Sequence, residues 1–438
     1  MRNIRMAVAL ATGVAIVVAV TGCSAGSSST ASTNSNSPIT VWVDAARQPQ
    51  AVAYAKAHPN VKITVDVISG AQAANTEKIS LAKKAGTPVP DVIFTGSPDD
   101  IANLAANPIN YPLALNGVVS AKILDGFPKG YLARCTYNGK IYCLGNDVGQ
   151  TVLWYNKVLF DQWGYTVPTT FTQFEQLGAT LAKDHPGYNL GTVNGRYGVD
   201  AFFGSSGCPV LDATSVTTVK INLSATSCTR VGNVLAPMLK NGSLSTLDLF
   251  DKSYDQQIAQ GKVVAMVAAS WVGDFAFKPM TTGSGTSFNA VGRYAAAPMP
   301  IWDGATTNWS GFVGGGIWAV SATTKNEKAA VAFAVAMTTS PTIAKTQATY
   351  PAYGPSANIW LSSKATDPWY AENPAPVLKA AAAKINPAEG YTRYETQALN
   401  SFNNTVIKNG ASDMSGALTQ WGQQVTQAAK SAGYTVTK

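Results

Sequence analysis

Histidine is almost missing from this chain. The two present, His58 and His185, each precede a proline, one at an apparent helix end and one in a loop, and neither has a second ligand at a recognised metal spacing. Both read as surface or capping residues, so no metal and no cofactor are expected. The same scarcity counts against a nucleophile with its base, and "FGSSG" at 203–207 departs from the G-x-S-x-G turn of hydrolases. "GFVGGG" at 311–316 departs from the dinucleotide fingerprint. Its glycines signal a close approach of the backbone to a strand or a ligand.

Charge is thin as well. Asp, Glu, Lys and Arg make up 13% of the residues, about half the usual ~25%. Residues 1–22 carry two arginines and no acid, so without them 30 basic residues face 24 acidic ones, an excess of +6 against +8 for the whole chain. With no long basic run, this leaves no electrostatic footprint for nucleic acid. The apolar run "MAVALATGVAIVVAV" behind Arg2 and Arg5 falls short of the ~20 residues of a membrane-spanning helix. It reads as the core of a secretory signal. The tetrad Val20, Thr21, Gly22, Cys23 resembles the lipobox of bacterial lipoproteins, which implies cleavage before Cys23 and a lipid on it. "SAGSSSTASTNSNS" (24–37) then serves as a flexible polar tether. The folded body is expected outside the cytoplasm, anchored to the outer face of the cell membrane.

Of five cysteines, four remain after Cys23, an even number that favours disulfides in an oxidising compartment. In "CTYNGKIYC" the Asn138-Gly139 pair is a strong hairpin signal. It would set Cys135 beside Cys143 and leave Cys208 for Cys228, although three pairings are formally open.

The body from Pro38 to Lys438 exceeds what one core supports, so two lobes are expected. "ITVWVDAA" (39–46), a helical stretch around "QPQAVAYAKAHPN", "VKITVDVI" (61–68), a helix with a glycine stop, and "DVIFT" (91–95) run β-α-β-α-β. That is the order of a parallel α/β sheet. A polar link, Asn146 to Gln150, leads into another strand. Thr170 with Gln173 forms an expected capping box, with Phe174, Leu177 and Leu181 at helical spacing behind it. "GKVVAMVAASWVGDF" (261–275) is a buried-looking strand that runs out at Ser270 and Trp271. "GIWAVSATT" (316–324) is another, and helices close the chain after Pro374.

Trp271 at a strand end and Trp309 ahead of the glycine run stand where open α/β sheets carry ligand contacts. An indole face can stack on the C–H face of a sugar while Asp, Asn, Gln and Arg hold its hydroxyls. Taken singly, most tryptophans are packing, and Asp44, Arg47, Asp99 and Asp147 are solvated loop charges.

Order along the chain is the stronger signal. "VWVDAARQ", "HPNVKITV", "AGTPVPDVIF", "YNGKIYCLGNDVGQTVLWYNKVLF", "GKVVAMVAASWVGDF" and "GGGIWAVS", in that succession, resemble extracellular solute-binding protein family 1, the carbohydrate-binding proteins of ABC importers. Tyr155, Asn156, Pro168, Thr170 and Phe171 match its most specific stretch. The resemblance, from about residue 38 to 360, implies a periplasmic-binding-protein-like α/β fold: two lobes, a hinge and an interlobe ligand cleft. One lobe would take 38–148 with 301–350, the other 149–300 with 351–438. Ligand contacts would come from Asp44, Arg47 and Gln48, from Ser97, Asp99 and Asp100, and from Asp147 and Gln150 at the hinge. Trp271, Gly315 in the glycine run, and Tyr353 complete the implied set, beside Trp309. Cys143 stands where the family usually has glycine, and the Cys208–Cys228 loop is an insertion. The implied action is capture without chemistry: a monomer closes on a sugar and delivers it to the membrane permease subunits of an ABC importer. The alternatives are a secreted glycosidase, which needs paired carboxylates ~5–9 Å apart, and the same fold binding another solute.

Overall fold

The computed structural model describes residues 36–68, 72–96, 99–282, 288–386 and 388–438. Cys23 and Ser97 lie outside the described residues. Among the described residues, no helix is long and apolar enough to cross a membrane.

Two larger sheets organise the chain, built from β1 Ile39–Val43, β2 Ile63–Val67, β3 Val92–Thr95, β4 Leu144–Gly145, β5 Thr151–Asn156, β6 Ala265–Ala269, β7 Tyr294–Ala297 and β8 Ile317–Val320. The first has the order β2-β1-β3-β8-β4. Its β2, β1 and β3 are parallel, as the β-α-β-α-β pattern requires, and β8 runs antiparallel to β3 and β4. In the second sheet, β6-β5-β7, both outer strands are antiparallel to β5. The reason is the route of the chain: β5 leads away from the crossing between the sheets, and β6 and β7 both lead back towards it.

Every residue of β3, β5 and β6 is buried, which explains runs such as "AMVAA" that show no alternation. Trp154 on β5 lies wholly in the core and donates its Nε1 hydrogen to Ala269 O at 3.0 Å. The capping box forms as expected: Thr170 Oγ1 accepts from Gln173 N, the Gln173 side chain accepts from Thr170 N, and Phe174, Leu177 and Leu181 are buried behind them. Three helical stretches open into wider turns, at Tyr197–Phe203, Gly273–Phe277 and Asn403–Ile407, a feature no sequence period announces.

Three strands of chain cross between the sheets side by side. Val148 N donates to Tyr350 O at 2.8 Å, and Ala352 N to Asn146 O at 3.2 Å. On the other flank Val313 N donates to Gly149 O at 2.8 Å, and Thr151 N to Gly311 O at 3.0 Å. Residues 301–311 precede this crossing and pack on the second side. Ile301 N donates to Thr169 O at 2.9 Å, its carbonyl accepts from Phe171 N at 3.0 Å, and Trp302 stacks on Phe171 with centroids 3.6 Å apart. The aromatic packing of Trp302 thus holds this stretch against Phe171 ahead of the crossing. On the return, helix Gly354–Lys364 ends at Lys364, whose Nζ reaches Asp274 at 2.9 Å.

Both disulfides form as expected, Cys135–Cys143 and Cys208–Cys228, with Cα atoms 5.3 Å and 4.8 Å apart. Asn138 and Gly139 make the turn of the first with φ of 50° and 73°, the mirror-image geometry that Asn-Gly favours. The second closes a loop with a sequence separation of 20, which on the chain-entropy model stabilises by about 3 kcal/mol. Cys208→Ser with Cys228→Ser should lower the unfolding free energy by that order, measured by guanidinium unfolding against the oxidised parent, with the far-ultraviolet circular dichroism of the native state unchanged.

Candidate functional site

The loop after β1 is held by its own charges. Asp44 accepts from Arg47 N at 2.9 Å and from Arg47 Nη1 at 3.0 Å. The Arg47 guanidinium lies 4.3 Å from the Phe94 ring centroid, and its Nη2 stands 3.5 Å from Asp147 Oδ1 on the crossing. Asp147 is buried and also accepts from Asn146 Nδ2 at 2.7 Å and from Gly316 N at 3.1 Å. Burial pushes the Asp147 carboxyl up, and Arg47 and the Asn146 amide oppose that push. The glycines here are required by space: a Cβ on Gly316 would fall 2.6 Å from the Phe94 ring, and Gly315, at φ of 95°, would put one 2.5 Å from Phe312.

Asp44, Arg47, Asp147 and Gly315 thus come together. Gln48 begins the helix Gln48–Ala57 and is exposed. Asp99 begins the helix Asp99–Ala105. Asp100 is buried and accepts from Thr76 Oγ1 at 2.9 Å and from Thr95 Oγ1, so its charge is spent on tying that helix to β3 and to helix Gln72–Ala85. Gln150 is fully buried: its Nε2 donates to Leu378 O at 3.0 Å and its Oε1 accepts from Ser270 Oγ at 3.2 Å. It welds the crossing to the second sheet.

Trp271 follows β6, just before the wide turn Gly273–Phe277. Its Nε1 donates to Val313 O at 2.9 Å, and a Cβ on Gly314 would lie 3.5 Å from the same nitrogen. Phe250 runs parallel to it, 7° between planes and 6.2 Å between centroids, and Phe275 meets it edge-on at 5.9 Å. Phe250 is 54% exposed. The sequence reading did not single it out, because in "STLDLFDKSYD" nothing local separates exposed Phe250 from buried Tyr254.

Trp309 is placed elsewhere, with its Cδ1 3.9 Å from where a Cβ on Gly207 would stand, next to the Cys208–Cys228 bridge. Tyr353 packs its ring 5.3 Å from Phe127, over Gly126, where an added Cβ would come within 2.0 Å of the tyrosine.

A second cluster of charge was not legible in the sequence, because its members are hundreds of residues apart. Arg134 lies under the crossing, 4.4 Å from the Phe312 centroid and 5.6 Å from that of Tyr391. Its Nη2 donates to Asn386 O at 3.0 Å and stands 3.6 Å from Glu389 Oε2. Gly204 makes room for Glu389, since a Cβ there would come within 1.8 Å of Oε1. Burial pushes the Glu389 carboxyl up to about 8, with Asp212 and Glu395 adding to the effect and Arg134 opposing it. Burial likewise raises Asp212 to about 6 against the pull of Lys220 and Arg134. Among the described residues no group of three or more His, Cys, Asp and Glu could hold a metal.

Both raised carboxyls bind protons more tightly folded than unfolded. Their contribution is complete below about pH 4 and is lost as pH rises through about 6 and then about 8. The melting temperature of the parent should therefore fall between pH 5 and pH 8.5, and Glu389→Gln should flatten that slope, as read by differential scanning calorimetry across the range.

A family model described as bacterial extracellular solute-binding protein matches residues 35–344. No curated protein matches the chain. Among solved structures, an ABC transporter associated binding protein from B. animalis subsp. lactis Bl-04, in complex with beta-1,6-galactobiose, has a TM-score of 0.75 at 19% identity, covering 92% of this chain and 100% of its own. The galacto-N-biose-/lacto-N-biose I-binding protein from Bifidobacterium longum, in complex with lacto-N-biose, has a TM-score of 0.76 at 18% identity with the same coverages, 92% and 100%. The GacH receptor of Streptomyces glaucescens, described unliganded and with acarbose, has a TM-score of 0.70 at 20% identity, covering 91% of this chain and 100% of its own. At these identities the likeness is one of fold, the periplasmic-binding-protein-like arrangement. The family model spans well over half of the sequence, and the chain belongs to the bacterial extracellular solute-binding protein family.

Proposed function

We propose that this protein is the sugar-capturing component of an ABC importer, taking a neutral oligosaccharide between two lobes and delivering it to a permease. The observation that carries the reading is the aromatic corner of Trp271, Phe250 and Phe275 at the end of β6, with one large ring left in water. A flat exposed ring beside further aromatics offers an apolar face on which the C–H face of a sugar can stack. The solved structures that share the fold and carry galactobiose, lacto-N-biose or acarbose support the same ligand class. Asp44, Arg47, Asp147 and Gly315, which lie together, would form the polar side of the proposed site, and Gln48, Ser97 and Asp99 are assigned to ligand by the family resemblance alone.

The lobes in this reading are 38–148 with the segment from about 312 to 350, and 149–311 with 351–438. Ligand that touches both favours the closed arrangement by its difference in affinity between the two states. The action is binding and release with no bond broken. Residues 1–22 would direct export, and lipid on Cys23 with the tether to residue 37 would hold a monomer at the outer face of the membrane.

A thermal-shift panel of mono- and oligosaccharides should raise the melting temperature without product appearing by chromatography; turnover of any sugar would overturn the reading. A stacked ring adds about 0.5–1.5 kcal/mol beyond its buried area, so Phe250→Ala should weaken binding of the responding sugar about tenfold. Trp271→Ala should abolish detectable binding, and unchanged affinity in titration calorimetry would remove the platform. Metabolic labelling with palmitate should mark the parent chain and leave Cys23→Ala unlabelled.

A further inference from the structure

We infer that a cavity behind the crossing is a second binding site, one that takes a small monocarboxylate with a compact apolar body. It stands apart from the sugar reading, since it shares no residue with the aromatic corner or with the Arg47 loop. The cavity has a volume of about 220 Å³ and is bounded by all three crossing segments, through Val148, Phe312 and Tyr350. Asp147, whose side chain reaches Arg47, stands next to Val148, and successive side chains of an extended segment point to opposite faces. The cavity therefore opens on the face away from Asp44 and Arg47.

Room arises there because the walls are cut back. Gly130, Ala352, Gly354, Ala357 and Ala382 supply much of the lining, and none of them carries more than a methyl group. A cavity of roughly 150 Å³ with apolar walls can hold a benzene ring, so one of about 220 Å³ admits a ring with a short chain. Tyr131 and Phe312, both lining it, stand 5.9 Å apart between centroids with planes at 61°. Such a pair can offer an incoming ring both a face and an edge.

Arg134 decides the head group. Its side chain is only 6% exposed, and its guanidinium is held 4.4 Å from the Phe312 centroid. One donor, on Nη2, is given to Asn386 O at 3.0 Å. Among the described residues Nε and Nη1 have no hydrogen-bond partner, and neither is sealed from accessible space. The closest carboxyl is that of Glu389, 3.6 Å away, which burial pushes up to about 8. Near pH 7 that group is largely protonated and leaves the guanidinium charge in place. The other acids of the cluster have cations of their own: Asp200 and Glu395 face Arg196, and Asp212 is drawn more by Lys220 than by Arg134. A buried cation short of a counter-charge is costly, and a carboxylate accepting from two guanidinium nitrogens would offset that cost. The site thus asks for one negative charge joined to an apolar body, a combination no neutral sugar offers.

Titration calorimetry at pH 7 with 3-phenylpropionate, its amide and acetate tests the site. The acid should bind the parent with a Kd of about 0.1–1 mM, as expected for a ligand of roughly ten heavy atoms. The amide lacks the charge and should bind at least about tenfold more weakly. Acetate lacks the apolar body and should give no saturable heat. Arg134→Gln should weaken binding of the acid by about tenfold or more. Ala382→Leu fills the cavity from a half-buried position and leaves Arg134 in place, so it should remove binding as well, and the unliganded melting temperature of each variant reports its fold. If Arg134→Gln does not fold, the amide and Ala382→Leu carry the test. Trp271→Ala should bind the acid as the parent does. Absence of saturable binding by the acid, equal binding of the amide, binding unchanged in Ala382→Leu, or loss of binding in Trp271→Ala each overturns the site, and none of these outcomes bears on whether a sugar binds.

Discussion

Asp147 is the point on which the rest of the structure turns. It is a carboxylate in the middle of the crossing, away from water, and it survives there because Arg47, the Asn146 amide and the Gly316 backbone each supply a donor. An unpaired charge at that depth would be strongly destabilising. Those three donors come from the loop after β1, from the residue before Asp147 and from the start of β8. Satisfying one side chain therefore fixes the mouth of the first sheet, the exit of β4 and the path of the glycine run together. The glycines are a consequence: only a chain without side chains at 315 and 316 can bring its amide that close while Phe94 and Phe312 fill the space around it.

The same economy shapes the second side. Gln150 gives both ends of its amide to Leu378 and Ser270, and Trp271 gives its indole hydrogen to Val313. Polar groups that sequence reasoning would offer to a ligand are here joining crossing segments to a sheet. In the proposed site, solute would meet the flat face of the corner and the exposed Phe250 ring beside the polar loop of Asp44 and Arg47. In the proposed site, binding surface and crossing share residues, which is how contact with a ligand would bias a hinge there.

Much of this was legible in the sequence, and for identifiable reasons. β1, β2 and β3 announced themselves because short apolar runs alternate with helical stretches and a parallel sheet follows from that order. The Asn138-Gly139 turn gave Cys135 its partner because a two-residue loop leaves little freedom in register. Local chemistry also exposed the capping box at Thr170. What stayed hidden depends on contacts distant in sequence. Nothing near Arg134 announces Glu389, and nothing near Gly204 says that the glycine exists to admit that carboxyl. Antiparallel pairing of β6 with β5 was also unreadable, since continuous apolar runs carry no direction. Trp309 and Tyr353 show the converse: aromatics at suggestive positions can be taken up by packing on Gly207 or Phe127.

The three crossing segments have a mechanical consequence. Because residues 146–151 are hydrogen-bonded to 350–352 on one flank and to 311–313 on the other, they form a ribbon one layer thick. Such a ribbon behaves like a leaf spring: it flexes easily about the line across its width, since the lateral bonds keep their length. It resists shear and torsion in its own plane, since either would slide one segment past its neighbour and break those bonds. In the two-lobe reading proposed above, such a ribbon would leave the halves one soft degree of freedom, so that opening and closing would retrace a single arc and bring the faces together in the same register each time.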